Sequence, residues 1–166
     1  LLYFTIYTIM NIREAKLSDS KTLWLWRTDK EAINNSLNKK IIKWKDHKIW
    51  FQKNIKNKNR IFYIAENKTE NKGIGCVSFE LKRNKAEVSI FLNPYYRGRK
   101  LSNEILKKTI DIFQRKFKVF LVAKILIHNE KSKKIFEQNN FGLKNKTKKM
   151  LIYVNKQILI DEIQKI

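Results

Sequence analysis

AEVSIFLNPYYRGRKLSNEIL, residues 86–106, joins three kinds of local structure in one run. Apolar residues alternate over 86–92 and stop at Pro94, the chain's one proline. A basic turn follows, Arg97-Gly98-Arg99-Lys100, and a helix opens directly from it. In that helix Leu101, Ile105, Leu106, Ile112 and Phe113 fall on one arc of a 3.6-residue wheel, and Asn103, Glu104, Lys107, Lys108 and Asp111 on the other. Ser102 is positioned to cap the first turn. Strand, cationic turn and helix N-terminus together form an anion site, because unpaired amide N–H groups, the positive end of the helix dipole and fixed cations converge there. Neither G-x-x-x-x-G-K-[ST] nor G-x-G-x-x-G occurs in the chain, which excludes a Walker loop and a dinucleotide fingerprint. Taken alone, the turn also reads as a solvated strand-to-helix connection.

A second stretch narrows the choice. Residues 118–127 read as a buried strand ending at His128-Asn129, and EKSKKIFEQNNFG, residues 130–142, as a short helix stopping at Asn139-Asn140. Together the two stretches resemble the GNAT superfamily of N-acetyltransferases. Arg97-Gly98-Arg99-Lys100-Leu101-Ser102 looks like that family's acetyl-CoA loop, Arg/Gln-x-x-Gly-x-Gly/Ala. Asn129, Ser132, Phe136, Asn140 and Phe141 look like its Asn-x-x-Ala-x-x-x-Tyr-x-x-x-Gly-Phe segment. Two degenerate motifs at the family's separation carry more weight than either one.

Composition sets the outer limits. A chain of 166 residues with 43% hydrophobic and 12% aromatic residues is long and apolar enough for one folded core. The single Cys76 excludes an internal disulfide and a cysteine-based zinc site and fits a reducing compartment, so a cytoplasmic location is expected. His47 and His128 are the only histidines and form no H-x-x-x-H pair, so no metal is expected. The net charge of +22 invites a nucleic-acid reading. Against it, lysines are spread along the chain, only seven of the 37 basic residues are arginine, and no RNA-recognition signature is present. The basic surface instead suits small polyanions such as coenzyme A or a nucleotide sugar. Residues 1–9, LLYFTIYTI, are too short to span a bilayer and carry no leader pattern, so no membrane partner is expected. They read as an upstream extension before a start at Met10, or as an extra strand or interaction tail. Residues 10–166 read as one GNAT acetyltransferase domain.

The remaining elements follow from local pattern: a strand at 11–15, a helix at 21–27 after Ser18-Asp19-Ser20, and a second helical region at 41–55. Strands follow at 60–66, 73–81 and 86–92, joined by short polar turns that imply an antiparallel meander. After the helix, the strand and the second helix already described, the chain ends as a hairpin turning at Asn155-Lys156. This is an α+β (mixed α/β) order and that of the GNAT fold: a central mixed, mostly antiparallel sheet with the fourth and fifth strands splayed and helices on both faces.

By this resemblance, Ile90, Phe91 and Leu92 present backbone groups to the pantetheine amides of acetyl-CoA. Arg97 and the run Gly98, Arg99, Lys100, Leu101, Ser102 and Asn103 wrap the pyrophosphate. Lys100 stands where the family has a second glycine, exchanging backbone freedom for a cation. Asn129 holds the pantetheine arm, or is an ordinary helix cap. Phe136 replaces the tyrosine that donates a proton to the leaving thiolate in many members. Lys124 replaces the glutamate base of the ribosomal-protein alanine N-acetyltransferases. Glu87 remains as the candidate base, sharing a strand face with Ser89 and Phe91, unless it is a strand-end surface charge; Glu80 and His128 are weaker choices. Trp26-Arg27-Thr28-Asp29 and His47-x-x-Trp50-Phe51 resemble a subgroup of nucleotide-sugar N-acetyltransferases of pseudaminic-acid-like pathways, which acetylate the 4-amino group of a UDP-linked amino-dideoxy sugar. In that reading Trp26, Arg27 and His47 meet the substrate; the alternative is that these aromatics face the core. The expected partner is a small-molecule amine, a nucleotide sugar first, with the protein a monomer or homodimer. A ribosomal-type N-terminal acetyltransferase and a non-catalytic binding module are the alternatives.

Overall fold

The computed structural model describes residues 10–155. Seven strands form one sheet in the order β1-β2-β3-β4-β5-β7-β6. They are β1 (Met10–Glu14), β2 (Arg60–Asn67), β3 (Lys72–Lys82), β4 (Lys85–Leu92), β5 (Phe120–Leu126), β6 (Phe141–Lys146) and β7 (Met150–Asn155). The helices are α1 (Ser20–Arg27), α2 (Lys30–Asn34), α3 (Trp44–Asn54), α4 (Leu101–Lys116) and α5 (Glu130–Gln138). β1 to β4 form the expected antiparallel meander. β4 and β5 are parallel and pair only at Lys85–Phe120, Ala86–Leu121 and Glu87–Val122. Beyond Glu87 the two strands separate, and the edge of β4 that faced β5 loses its ladder partner.

Alternation along β4 decides what lies on each face. Ala86 and Val88 are buried, and Ile90 and Leu92 pack against the same core, where the apolar arc of α4 lies on β3 and β4. There Phe79 and Phe113 stack with ring centroids 4.0 Å apart, an aromatic contact worth about 1 kcal/mol beyond its buried area. The opposite face packs Phe62, Ile64 and Cys76 against Leu23 and Trp26 of α1 and Phe51 of α3, with Phe91 at its margin. Helices therefore cover both sheet faces, and Glu87 and Ser89 point to the α1–α3 side.

Two features go beyond the sequence reading. The helix α2 was not foreseen; Asp29 creates it by accepting from the amides of Glu31 (3.0 Å) and Ala32 (3.3 Å), the usual side-chain cap of a helix start. A hairpin that the sequence reading did not contain precedes the expected turn at Asn155-Lys156: β7 pairs backwards with β6. The turn lies at 147–149, where the Thr147 hydroxyl accepts from Met150 N at 3.0 Å. β6 reads FGLKNK and is exposed after Gly142, so the sheet's edge strand carries almost no apolar alternation to reveal it. The proposed second hairpin arm at 157–163 and the extension at 1–9 lie outside the described residues.

Candidate active site

The site is assembled where β4 leaves β5. Asn93 closes the end of β4 by donating from Nδ2 to Gly73 O (2.9 Å) and accepting from Tyr95 N (3.1 Å). The short 3-10 turn Pro94–Tyr96 then carries the chain toward α4. Gly98 has φ +75°, and a Cβ there would meet nothing within 4 Å. Lys100, at φ +55°, is the N-cap of α4 and makes no side-chain cap bond. The lysine thus adopts the left-handed backbone that a glycine would favour at this position. Ser102 is inside the first helical turn and is not the cap, which corrects its expected role. The Lys100 side chain thus does not cap the first-turn amides of this 16-residue helix.

Cations around this turn divide into two groups. The Arg99 guanidinium lies over the rings of Tyr95 and Tyr96, at 4.5 and 5.2 Å, a position that holds a cation beside the turn. Arg97 turns away: its Nη1 donates to Asp29 Oδ2 at 2.5 Å and reaches Glu31 Oε2 at 3.4 Å. Burial favours the neutral Asp29 acid, but the Arg97 bond and the Ala32 amide outweigh it and hold the carboxyl below its ordinary range. The Asn103 side chain is bound by Asn139 Nδ2 at 2.7 Å.

Across the splay, Asn129 caps α5 by accepting from Ser132 N at 3.1 Å. Phe136 is buried, edge-on to Phe141 with centroids 5.0 Å apart, and carries no proton to give. The nearby Tyr153 hydroxyl donates to Glu137 (2.8 Å) and is pushed up to about 12 by burial and that bond, so it is a poor substitute acid. Ile90 and Leu92 pack on one core and Phe91 on the other, leaving their backbone as the part that can meet a ligand. Glu87 sits at the last paired rung and accepts from Lys124 Nζ at 2.7 Å. Beside it the hydroxyls of Ser78 and Ser89 lie 2.8 Å apart on the same face. Glu80 is taken by Arg60 and, at 3.1 Å, by Lys82.

The three residues expected to meet the acceptor separate. Trp26 is 6% exposed and packs in the α1–α3 core, its ring against Gly73. His47 is 5% exposed, donates from Nε2 to Ser20 O (3.0 Å) and stacks on Phe51. Burial and the neighbouring Arg27 charge lower its pKa. Trp50, by contrast, is 42% exposed. Arg27 is half-buried and donates from Nη2 to Ser36 Oγ at 2.5 Å. Among the described residues no carboxylate pairs with it, and burial lowers its pKa from the ordinary value. A cation kept out of water with only a hydroxyl partner is costly unless an anion arrives. Ser36 and Glu31 entered no sequence motif, and Asp29 entered one without a role; their partners Arg27, Lys131 and Arg97 lie 9, 100 and 68 positions away.

The acetyltransferase (GNAT) domain family matches residues 10–142, most of the chain. The chain therefore belongs to the GNAT acetyltransferase family, whose members transfer acetyl groups to amines. No curated protein matches it. Among solved structures, the spermidine N-acetyltransferase of Vibrio cholerae in complex with CoA and spermine superposes with a TM-score of 0.79 at 12% identity, over 92% of this chain and 99% of that one. A domain from Methanocaldococcus jannaschii gives 0.75 at 23% identity, over 87% and 96%. A dodecameric form of the Vibrio cholerae enzyme gives 0.73 at 12%, over 89% and 93%. At these identities the structures share the fold. Among the described residues no helix is long and apolar enough to cross a membrane.

Proposed function

We propose that this acetyltransferase acetylates an anionic acceptor, the amine of a nucleotide-linked amino sugar, with the 4-amino group of a UDP-linked amino-dideoxy sugar as the first choice. Arg27 carries the reading: among the described residues its half-buried guanidinium bonds the Ser36 hydroxyl and no acid, and a phosphate oxygen is the complementary group. The carboxylates around the site point the same way. Glu87 is engaged by Lys124, Glu80 by Arg60, Asp29 by Arg97, and Glu31 by Arg97 and Lys131. A polyamine, the acceptor of the Vibrio cholerae enzyme, would have to displace those cations, whereas a phosphate would not. Trp50 is partly exposed, with the Arg60 guanidinium 5.5 Å from its ring centroid, a pair that suits an anionic sugar nucleotide.

Acetyl-CoA supplies the acetyl group as a thioester. The first turn of α4 suits its pyrophosphate, with open space over Gly98 and the Arg99 cation beside it. The free edge of β4 past Glu87 suits an extended amide-bearing arm, and Asn129 stands across the splay from it. Glu87 takes the proton that the acceptor nitrogen loses on attacking the thioester carbonyl, directly or through water. Solvent returns a proton to the departing thiolate, because Phe136 has none. The co-substrate and the lone buried thiol of Cys76 fit a cytoplasmic enzyme. Initial rates with acetyl-CoA and a UDP-linked 4-amino sugar, spermidine, or N-terminal peptides test the proposal. Turnover confined to spermidine or peptide would refute it.

A further inference from the structure

Arg97 is the first residue of the cationic turn, yet its guanidinium is committed elsewhere. Arg97 Nη1 lies 2.5 Å from Asp29 Oδ2, a partner 68 positions away in the chain. Both side chains are sheltered, at 21% and 27% exposure, which sets this pair apart from the open Lys131–Glu31 contact. A sheltered, short, charge-assisted bond is worth more than a solvated one. Asp29 is also the N-cap of α2, whose first-turn amides it holds. Just past the other end of α2, Ser36 accepts from Arg27. The five-residue helix α2 is therefore fastened at one end to the turn that precedes α4 and at the other to Arg27, the cation proposed to meet the acceptor.

We infer that Arg97, through Asp29 and Glu31, is a positioning residue that makes α2 a strap between the cofactor turn and Arg27, so that filling the turn orders the acceptor side. The inference rests on the proposed coenzyme site at the start of α4 and on the proposed place of Arg27 at the acceptor. Asp29→Asn is a clean probe, because asparagine caps a helix as well as aspartate does and only the charge is removed.

Coenzyme A is titrated into the wild-type protein and the Asp29→Asn, Arg97→Gln and Arg97→Lys variants, with amide hydrogen exchange followed over residues 29–36. Wild-type protein should bind coenzyme A and show exchange in that segment slowed by about fivefold or more, the lower end of ordinary site-to-site coupling. Asp29→Asn and Arg97→Gln should bind it within about threefold of wild type but lose the slowing, and Arg97→Lys should recover part of it. Two results overturn the inference while leaving the coenzyme site intact. One is binding to wild type without any change in the segment. The other is a loss of about tenfold or more in affinity for Arg97→Gln alone, the signature of a direct phosphate ligand. Failure of the wild-type protein to bind coenzyme A removes the cofactor reading and the inference with it. If a variant melts abnormally, Glu31→Gln, which leaves the Asp29 cap in place, should show the same loss of slowing in weaker form.

Discussion

Replacing Arg27 by methionine should cost acceptor binding while leaving stability nearly unchanged. The guanidinium is half-buried, has no acidic partner among the described residues, and its pKa is lowered by burial. Exchanging a buried charged group for an apolar one of similar length is neutral or stabilising by about 1–4 kcal/mol. Against this stands the lost bond to Ser36, a charged-group hydrogen bond of roughly 1.5–3 kcal/mol. Ser36 Oγ is not orphaned, because it still accepts from Asn38 N at 3.2 Å. The two nearly cancel, leaving a net change within about 2 kcal/mol of zero in either direction, a melting temperature within roughly 6 °C of wild type for a chain of this size. Acceptor binding should fall by the worth of one charge-assisted phosphate contact, so the acceptor KM rises by about 10- to 150-fold. The KM for acetyl-CoA should not move. Thermal melts and initial rates of thiol release from acetyl-CoA, with a UDP-linked amino sugar as acceptor, measure both effects. Cys76 adds little background, being buried with its thiol pushed far up by desolvation. A melting temperature lowered by more than about 6 °C with the acceptor KM unchanged would make Arg27 a structural residue and refute the reasoning.

Three further outcomes are expected. Glu87→Gln should lower kcat by roughly 10²- to 10⁴-fold with little effect on the KM for acetyl-CoA; an unchanged kcat across the pH range excludes Glu87 as the base. Gly98→Ala meets no neighbour, so its cost is the left-handed backbone alone, about 1 kcal/mol and a melting point roughly 2–4 °C lower; an unshifted melt contradicts the geometry of the turn. His47 has its folded pKa lowered from 6.5, so the unfolded chain binds the proton more readily. Its contribution is complete above the unfolded pKa and declines as pH falls below about 6.5, with a slope of at most about 1.4 kcal/mol per pH unit. Urea melts at falling pH should show the decline in wild type and not in His47→Asn.

The parts of the fold legible in the sequence are those where one face is apolar and the period is clear. The alternation of β4 and the 3.6-residue wheel of α4 adjoin, and the change of period between them marks the turn. β6 was hidden because an edge strand of lysine and asparagine has no buried side to alternate with. The short helix α2 was hidden because it is a single turn or so with a local cap at Asp29 and no apolar period, and its anchors Arg97 and Arg27 are connected to it by no local pattern. Adjacent residues also part company: Trp26 goes into the core and Arg27 to the site margin, since one helical step rotates a side chain by about 100°. Resemblance grouped Trp26, Arg27 and His47 as one site, and burial separates them. Arg97 was assigned by its place in the turn to the phosphate, whereas its bond runs to a carboxylate 68 positions earlier.

The three-rung joint between β4 and β5 bears on how the protein unfolds. β1 to β4 pair in chain order, and β5, β7 and β6 form a second group closed within residues 120–155, so each group can form on its own schedule. Cooperativity between them rests on that short joint, the Glu87–Lys124 pair and the packing of α4 and α5. A ligand seated between the diverging strands would bridge the two groups, merging two openings of unequal free energy into one. The sheet's weakest seam would then set the temperature at which the molecule first opens.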